Sequence, residues 1–315
     1  SKGVYDPENY GWSGEYGYIR QANLVLEKIQ EMDLSEDAYK KLEGQARFFR
    51  AYTYFTLIRS FGAVPYIDKP LEMSDVENIT RTPKDEVYAK VMEDFDIAIA
   101  NLPVQWDEAN SGRITKGAAM AMKARAALYY NNWETAMTEA KNVMDLGQYE
   151  LYDKDNTGRY KELFWEVADG CDEFILSVQY NAPTRTHYLI GWECFPTLGW
   201  GGLNPTQSLV DAFEDINGAP IANSTIYDST NPFANRDPRL EVNVLHDGET
   251  MYGVTIKVAP LKSSGNTGIA QHGDATATGY YQQKWLDPSI DPQSTGWNMG
   301  KDWVCLLYTS PSPRD

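Results

Sequence analysis

Read for its apolar and polar positions, the chain changes character near residue 150. Before that point apolar residues recur every three to four positions, the spacing of an amphipathic helix. Residues 18–32 carry Ile19, Ala22, Leu26 and Ile29 on one stripe. A longer helix is expected from Ser35, an N-cap followed by Glu36 and Asp37, to Phe61, where Gly62 stops it. Its two apolar faces, Ala38/Leu42/Ala46/Phe49/Thr53 and Phe48/Tyr52/Phe55, predict cover on both sides. After Pro65 and Pro70, Thr82 is expected to cap a helix with Pro83 at its first position and Asp85 and Glu86 in its first turn. Val87, Val91, Phe95, Ala98 and Leu102 form its inward stripe, and Pro103 ends it.

An Ala-rich helix over 115–130 and another over 132–146, closed by Gly147, follow. Asn132-Trp133-Glu134-Thr135-Ala136 resembles the second helix of a tetratricopeptide unit, in which small residues such as Ala124 allow close antiparallel packing. Trp133 is expected to fill the gap at the turn. The pattern Gly44-x-Ala46 with Arg50-Ala51 recurs as Gly117-x-Ala119 with Lys123-Ala124, an internal repeat. Each helical hairpin leaves an apolar face that only a neighbour can bury, hence a stack. Beyond residue 150, residues 174–180 read as a strand and 209–213 as a short helix, while 181–304 is otherwise rich in Gly, Pro, Asn, Asp and aromatics. The expected fold is therefore mainly α: a tetratricopeptide-like helical repeat scaffold at 1–150 and a loop-rich, irregular ligand-binding region at 151–304. Long irregular regions in compact domains are usually functional.

Composition narrows the function. With 28 basic and 45 acidic residues the net charge is −17, and no basic cluster exists to neutralise phosphates, so nucleic acid is excluded as the main partner. Cys171, Cys194 and Cys305 are too scattered for a zinc site or a disulfide framework. No apolar run reaches the roughly 18 to 20 residues that span a bilayer. His187, His246 and His272 are isolated and read as loop or surface residues, neither ligands nor bases. Gly11-Trp12-Ser13-Gly14 lacks the last glycine of a nucleophile elbow, and Gly199-Trp200-Gly201-Gly202 lacks the strand and helix of a dinucleotide site. Asp153–Gly158 imitates the start of a calcium loop, but Phe164 stands at the twelfth position, so a capped turn is expected. No catalytic residue, metal ligand or cofactor site is assigned.

The remaining chemistry is aromatic. Tyr10, Trp12, Tyr16 and Tyr18 form one group, Tyr188, Trp192, Phe195 and Trp200 a second, and Tyr280, Tyr281, Trp285, Trp297 and Trp303 a third. An exposed ring suits the C–H face of a pyranose, although the same rings would equally supply the core of a domain short of aliphatic runs. Tyr188, Trp192 and Trp200 are the first stacking candidates, Trp12 and Tyr16 the second, with Arg185 and Asn204 as hydroxyl partners. From Cys305 the sequence reads Cys-Leu-Leu-Tyr-Thr-Ser-Pro-Ser-Pro-Arg-Asp, which looks like a translated sequencing adapter, so 305–315 is expected to be non-native.

Several segments in order resemble the SusD/RagB family of nutrient-binding lipoproteins. They are 44–55 with Phe61-Gly62-Ala63-Val64-Pro65, then 112–119, Leu163-Phe164, Pro205-Thr206-Gln207 through Phe213, and 235–240. The resemblance covers about 18–304 and implies a non-enzymatic surface lipoprotein of the outer membrane. Such a protein captures an oligo- or polysaccharide and delivers it to a TonB-dependent, SusC-like transporter. It implies a lipid anchor and further C-terminal helices beyond this chain. Glycan contacts in the family vary with substrate, so none carries over residue by residue. A tetratricopeptide-type protein-interaction scaffold without glycan affinity is the second reading, and an all-helical glycosidase the third. The acidity leans towards neutral glycans.

Overall fold

The computed structural model describes residues 11–155, 157–195, 198–258, 276–296 and 298–307. Tyr10, His272, Trp297 and the segment from Tyr308 lie outside them, as does the side chain of Trp303. The chain forms two compact units. The first comprises Ser1–Leu151, Asp172–Ser177 and Val304–Asp315, the second Tyr152–Cys171 and Val178–Trp303.

The first unit is a stack of antiparallel helices: α1 (Trp12–Lys28), α2 (Glu36–Phe61), α3 (Lys84–Asn101), α4 (Lys116–Tyr129) and α5 (Trp133–Asp145). Ser35, Thr115 and Asn132 each accept a backbone N–H of the following turn, satisfying one of the donors that a helix start leaves open. Ile19, Phe48, Tyr54, Val91, Phe95 and Met122 are among the residues of one continuous core. β1 (Phe174–Val178) pairs with β6 (Trp303–Leu307), which runs through Cys305.

The internal repeat has a physical meaning. A Cβ on Gly44 would come within 2.9 Å of the Leu102 side chain, and one on Gly117 within 2.2 Å of the Tyr149 hydroxyl, so each glycine admits the residue that follows the next helix. Six positions on, each repeat places a buried cation. The Arg50 guanidinium donates to both Asp94 carboxylate oxygens at 2.7 Å, and the Lys123 ammonium donates to Glu139 and Asp96 at 2.6 Å. Arg50 also donates to Asn23, whose amide in turn donates to the Ile67 carbonyl, tying α1, α2 and α3 to the loop before α3.

Three local expectations are corrected. α1 starts at Trp12 rather than near 18, because Gly11 turns the chain at φ 79° and the stripe extends backwards through Tyr16 and Trp12. Thr82 does not cap α3: its hydroxyl accepts from the Tyr66 N–H, and Pro83 occupies the cap position. Trp133 does not fill the inter-helix turn but stands 60% exposed, the turn itself being closed by Asn131 in the left-handed region. α2 is covered from two sides, by α1 and by α3, with Ala46 and Thr53 of one face and Phe48 and Phe55 of the other buried, while Phe49 and Tyr52 form its exposed edge.

The second unit has little regular structure. It contains α6 (Leu189–Glu193), α7 (Gln207–Ala212), α8 (Pro238–Asn243) and short antiparallel pairs, β2 (Val244–Leu245) with β5 (Tyr281–Gln282) and β3 (Thr250–Met251) with β4 (Val254–Thr255). Its core gathers Ile190, Cys194, Phe195, Leu245, Tyr281 and Leu286. Buried polar groups hold the rest. Arg236 donates to the carbonyls of Val210, Phe213 and Pro232, and the Lys301 ammonium, 1% exposed, pairs with Asp169. As expected, the Asp153 loop is a capped turn, its carboxylate accepting from Thr157, Gly158 and Tyr160.

Candidate functional site

Helix α6 sets the three leading aromatic candidates. Ile190 and Cys194, four apart on one face, are fully buried, which fixes the opposite face of the short helix towards solvent. Trp192 lies on that outer face, 59% exposed, and Tyr188 precedes the helix, half-buried. The following loop folds back over the helix end: the N–H of Trp200 donates to Gly191 O, that of Gly201 to Cys194 O and that of Gly202 to Trp192 O, at 2.7 to 2.9 Å. Trp200, 40% exposed, thereby arrives between the other two rings, 5.2 Å from Tyr188 and 5.5 Å from Trp192 between centroids, tilted by 42° and 46°.

This approach requires glycine. A Cβ on Gly191 would sit 2.5 Å from the Tyr188 ring and 2.9 Å from Trp200; one on Gly199 would sit 2.7 Å from the Gly191 carbonyl. Gly191, Gly199 and Gly202 thus set the ring positions and were missed by the residue-type search, although the Gly-Trp-Gly-Gly string was its visible signal. The result is a platform in which Trp200 meets both other rings and in which Trp192 and Trp200 are exposed. Exposed aromatic surface forgoes about 1.5–3 kcal/mol of burial per large side chain, a cost that a ligand covering the rings would offset.

His187 stands at the start of α6. Its Nδ1 accepts the N–H of Leu189, the first residue of α6, at 3.3 Å, and its Nε2 faces the Lys301 carbonyl at 2.8 Å. A backbone N–H donates and a carbonyl accepts, so the ring must be neutral with its proton on Nε2. Burial lowers its pKa from the usual histidine range, outweighing the backbone hydrogen bond and the carboxylates of Asp169 and Glu166.

The other candidates separate from this group. The Asn204 amide donates to Gly201 O at 2.7 Å and accepts from Ala277 N at 2.8 Å, so its polar atoms brace the glycine loop. Arg185 is exposed on the 181–185 turn with its guanidinium over the Tyr180 ring at 5.2 Å. Trp12 and Tyr16 belong to the helical unit and are helix residues, not loop residues. Their rings pack against the core there, 5.2 Å apart, with Trp12 edge-on to Phe61 and the Tyr16 hydroxyl donating to Pro65 O. In the third group, Tyr281 is buried and Trp285 lies edge-on to Phe164, which makes both of them packing residues.

Two family models match the chain: one described as "Starch-binding associating with outer membrane" over residues 3–128, and one described as the SusD family over 175–307. A SusD-like protein of Bacteroides ovatus is 28% identical over 206 residues, 61% of this chain and 37% of that protein. Two solved structures from Bacteroides fragilis superpose over nearly the whole chain. A SusD-like protein aligns at TM-score 0.80 and 29% identity, covering 95% of this chain and 61% of its own. A SusD-like carbohydrate-binding protein aligns at 0.84 and 25%, covering 96% and 59%. The chain thus spans little more than a third of this curated relative and about three-fifths of these structural ones.

Proposed function

We propose, for a chain that belongs to the SusD family, that it binds a neutral oligo- or polysaccharide on the Tyr188–Trp192–Trp200 platform without cleaving it. The carrying observation is the platform itself: three rings locked by glycine contacts, with Trp192 59% and Trp200 40% exposed. Tilted, adjoining rings offer successive apolar faces to successive sugar rings, whose C–H faces they cover while the hydroxyls stay at the rim. Arg185 is the proposed hydroxyl partner; Asn204 serves by bracing the loop. In this reading residues 1–150 are the scaffold and 151–304 capture the ligand. The net charge of −17 disfavours anionic polymers at long range.

By the same family membership the whole protein acts at the cell surface, held to the outer membrane by an N-terminal lipid, and passes its glycan to a TonB-dependent, SusC-like transporter. Retention on native gels cast with amylopectin, xylan or galactomannan tests the binding. One of these slows the wild-type protein, and replacing Trp192 and Trp200 with Ala removes the retardation. Equal retardation of both proteins moves the site elsewhere, and release of reducing sugar from the retained polymer overturns the non-enzymatic reading. Co-purification of the full-length protein with an outer-membrane barrel tests the delivery step.

A further inference from the structure

We propose that His187, as a neutral imidazole protonated on Nε2 alone, is the positioning residue of the Tyr188–Trp192–Trp200 platform, and that a second proton on Nδ1 releases it. The consequence for ligand rests on the glycan-binding reading above; the consequence for the rings does not.

The argument is one of donors and acceptors. α6 has only five residues, and its cap residue Tyr188 makes no side-chain cap hydrogen bond. The Leu189 N–H instead donates to the imidazole of the residue before the cap. The backbone of His187 is itself fixed, exchanging hydrogen bonds with Met299 at 3.1 and 3.0 Å, and its ring meets Tyr180 edge-on at 4.7 Å. The imidazole therefore acts as a rigid acceptor that sets where α6 begins. The helix start in turn sets Tyr188 and Trp192, and Trp200 reaches the helix through the Gly191 carbonyl. A proton on Nδ1 replaces the acceptor with a donor facing a donor. The Nε2 bond to Lys301 O holds the ring in place, so the conflict falls on Leu189 and the helix start.

The charged groups around the ring are Glu166 and Asp169, Lys301 with its ammonium on Asp169, and Asp302, whose carboxylate accepts from Tyr180 N. The carboxylates favour the imidazolium while Lys301 and burial oppose it, and burial is the largest influence. The neutral form accordingly persists at neutral pH and gives way only in acid.

The test is fluorine NMR of the whole chain labelled with 5-fluorotryptophan and free of glycan, the Trp192 and Trp200 signals being assigned by Trp192→Phe and Trp200→Phe. Between pH 8 and 4.5 both signals move together with one midpoint below 6.5, the ordinary histidine value. In His187→Asn, which keeps a short acceptor for Leu189 but cannot titrate, both stay still. Movement of both signals with an unchanged midpoint in that variant overturns the proposal. A measurement on the wild type needs no variant: nitrogen shifts of His187 at pH 8 show the Nε2–H tautomer, and an Nδ1–H tautomer contradicts it. On a polysaccharide gel that retards the wild type at pH 7.5, retention weakens in acid with the same midpoint as the fluorine signals, and His187→Asn shows no such loss. Absence of retention at pH 7.5 defeats the glycan reading while leaving the fluorine titration to judge His187.

Discussion

In the helical unit Arg50 and Lys123, at 4% and 9% exposure, each meet an acid on the following helix; in the irregular unit the aromatic platform is held by backbone hydrogen bonds, glycine contacts and one imidazole. The first arrangement concentrates stability in a few charged contacts that a single substitution can strand. The second spreads small contacts around a surface that is left uncovered. Stability and recognition are thus carried by different residues, and substitutions in the two units should have different signatures.

The largest expected effect is on stability in the helical unit. Asp94→Ala leaves the Arg50 guanidinium buried without its bidentate partner, and urea denaturation should show a loss of about 3–5 kcal/mol. The comparison breaks if the loss is no larger than that from removing one partner of an exposed pair such as Lys40–Glu36. Next comes Gly117→Ala, whose Cβ would displace Tyr149 from the end of the repeat. Denaturation should register about 1–3 kcal/mol, as for overpacking.

Gly191→Ala sharpens the contrast from the other side. It should lose polysaccharide retention as fully as removal of a tryptophan, because the Tyr188 and Trp200 rings must move away from α6, with a smaller stability loss than Gly117→Ala. The smallest effect is expected from Tyr16→Phe, which deletes the hydrogen bond to Pro65 O. It should cost about 0.5–1.5 kcal/mol of stability and leave retention unchanged.

The helical half was largely legible in the sequence because its determinants are local. Ser35, Gly62, Thr115 and Asn132 mark helix ends by their own chemistry, and the Gly44/Arg50 and Gly117/Lys123 repeat was visible before its purpose was. The acids that complete it, Asp94 and Glu139, lie on other helices at unequal separations, 44 and 16 residues away, so no fixed spacing announces them. Trp133 was misplaced because a repeat pattern specifies residue type but not exposure. In the irregular half, the aromatic string from Tyr188 to Trp200 was readable, whereas its arrangement was not. It depends on three glycines meeting a helix end and on His187, whose partner Lys301 is 114 residues distant. Trp12 and Tyr16 fell outside the helix expected over 18–32 because Gly11 and Gly14 obscured the helical period that runs through them.

The central claim is that sugar recognition belongs to the platform on α6 and not to the equally aromatic start of α1. Calorimetry with a polysaccharide that retards the wild type tests it in one comparison of two double variants, Trp192→Ala/Trp200→Ala and Trp12→Ala/Tyr16→Phe. The account predicts that the first stays folded and loses all measurable heat, while the second binds as the wild type does and melts lower. Retained binding in the first variant together with lost binding in a folded second variant would contradict it.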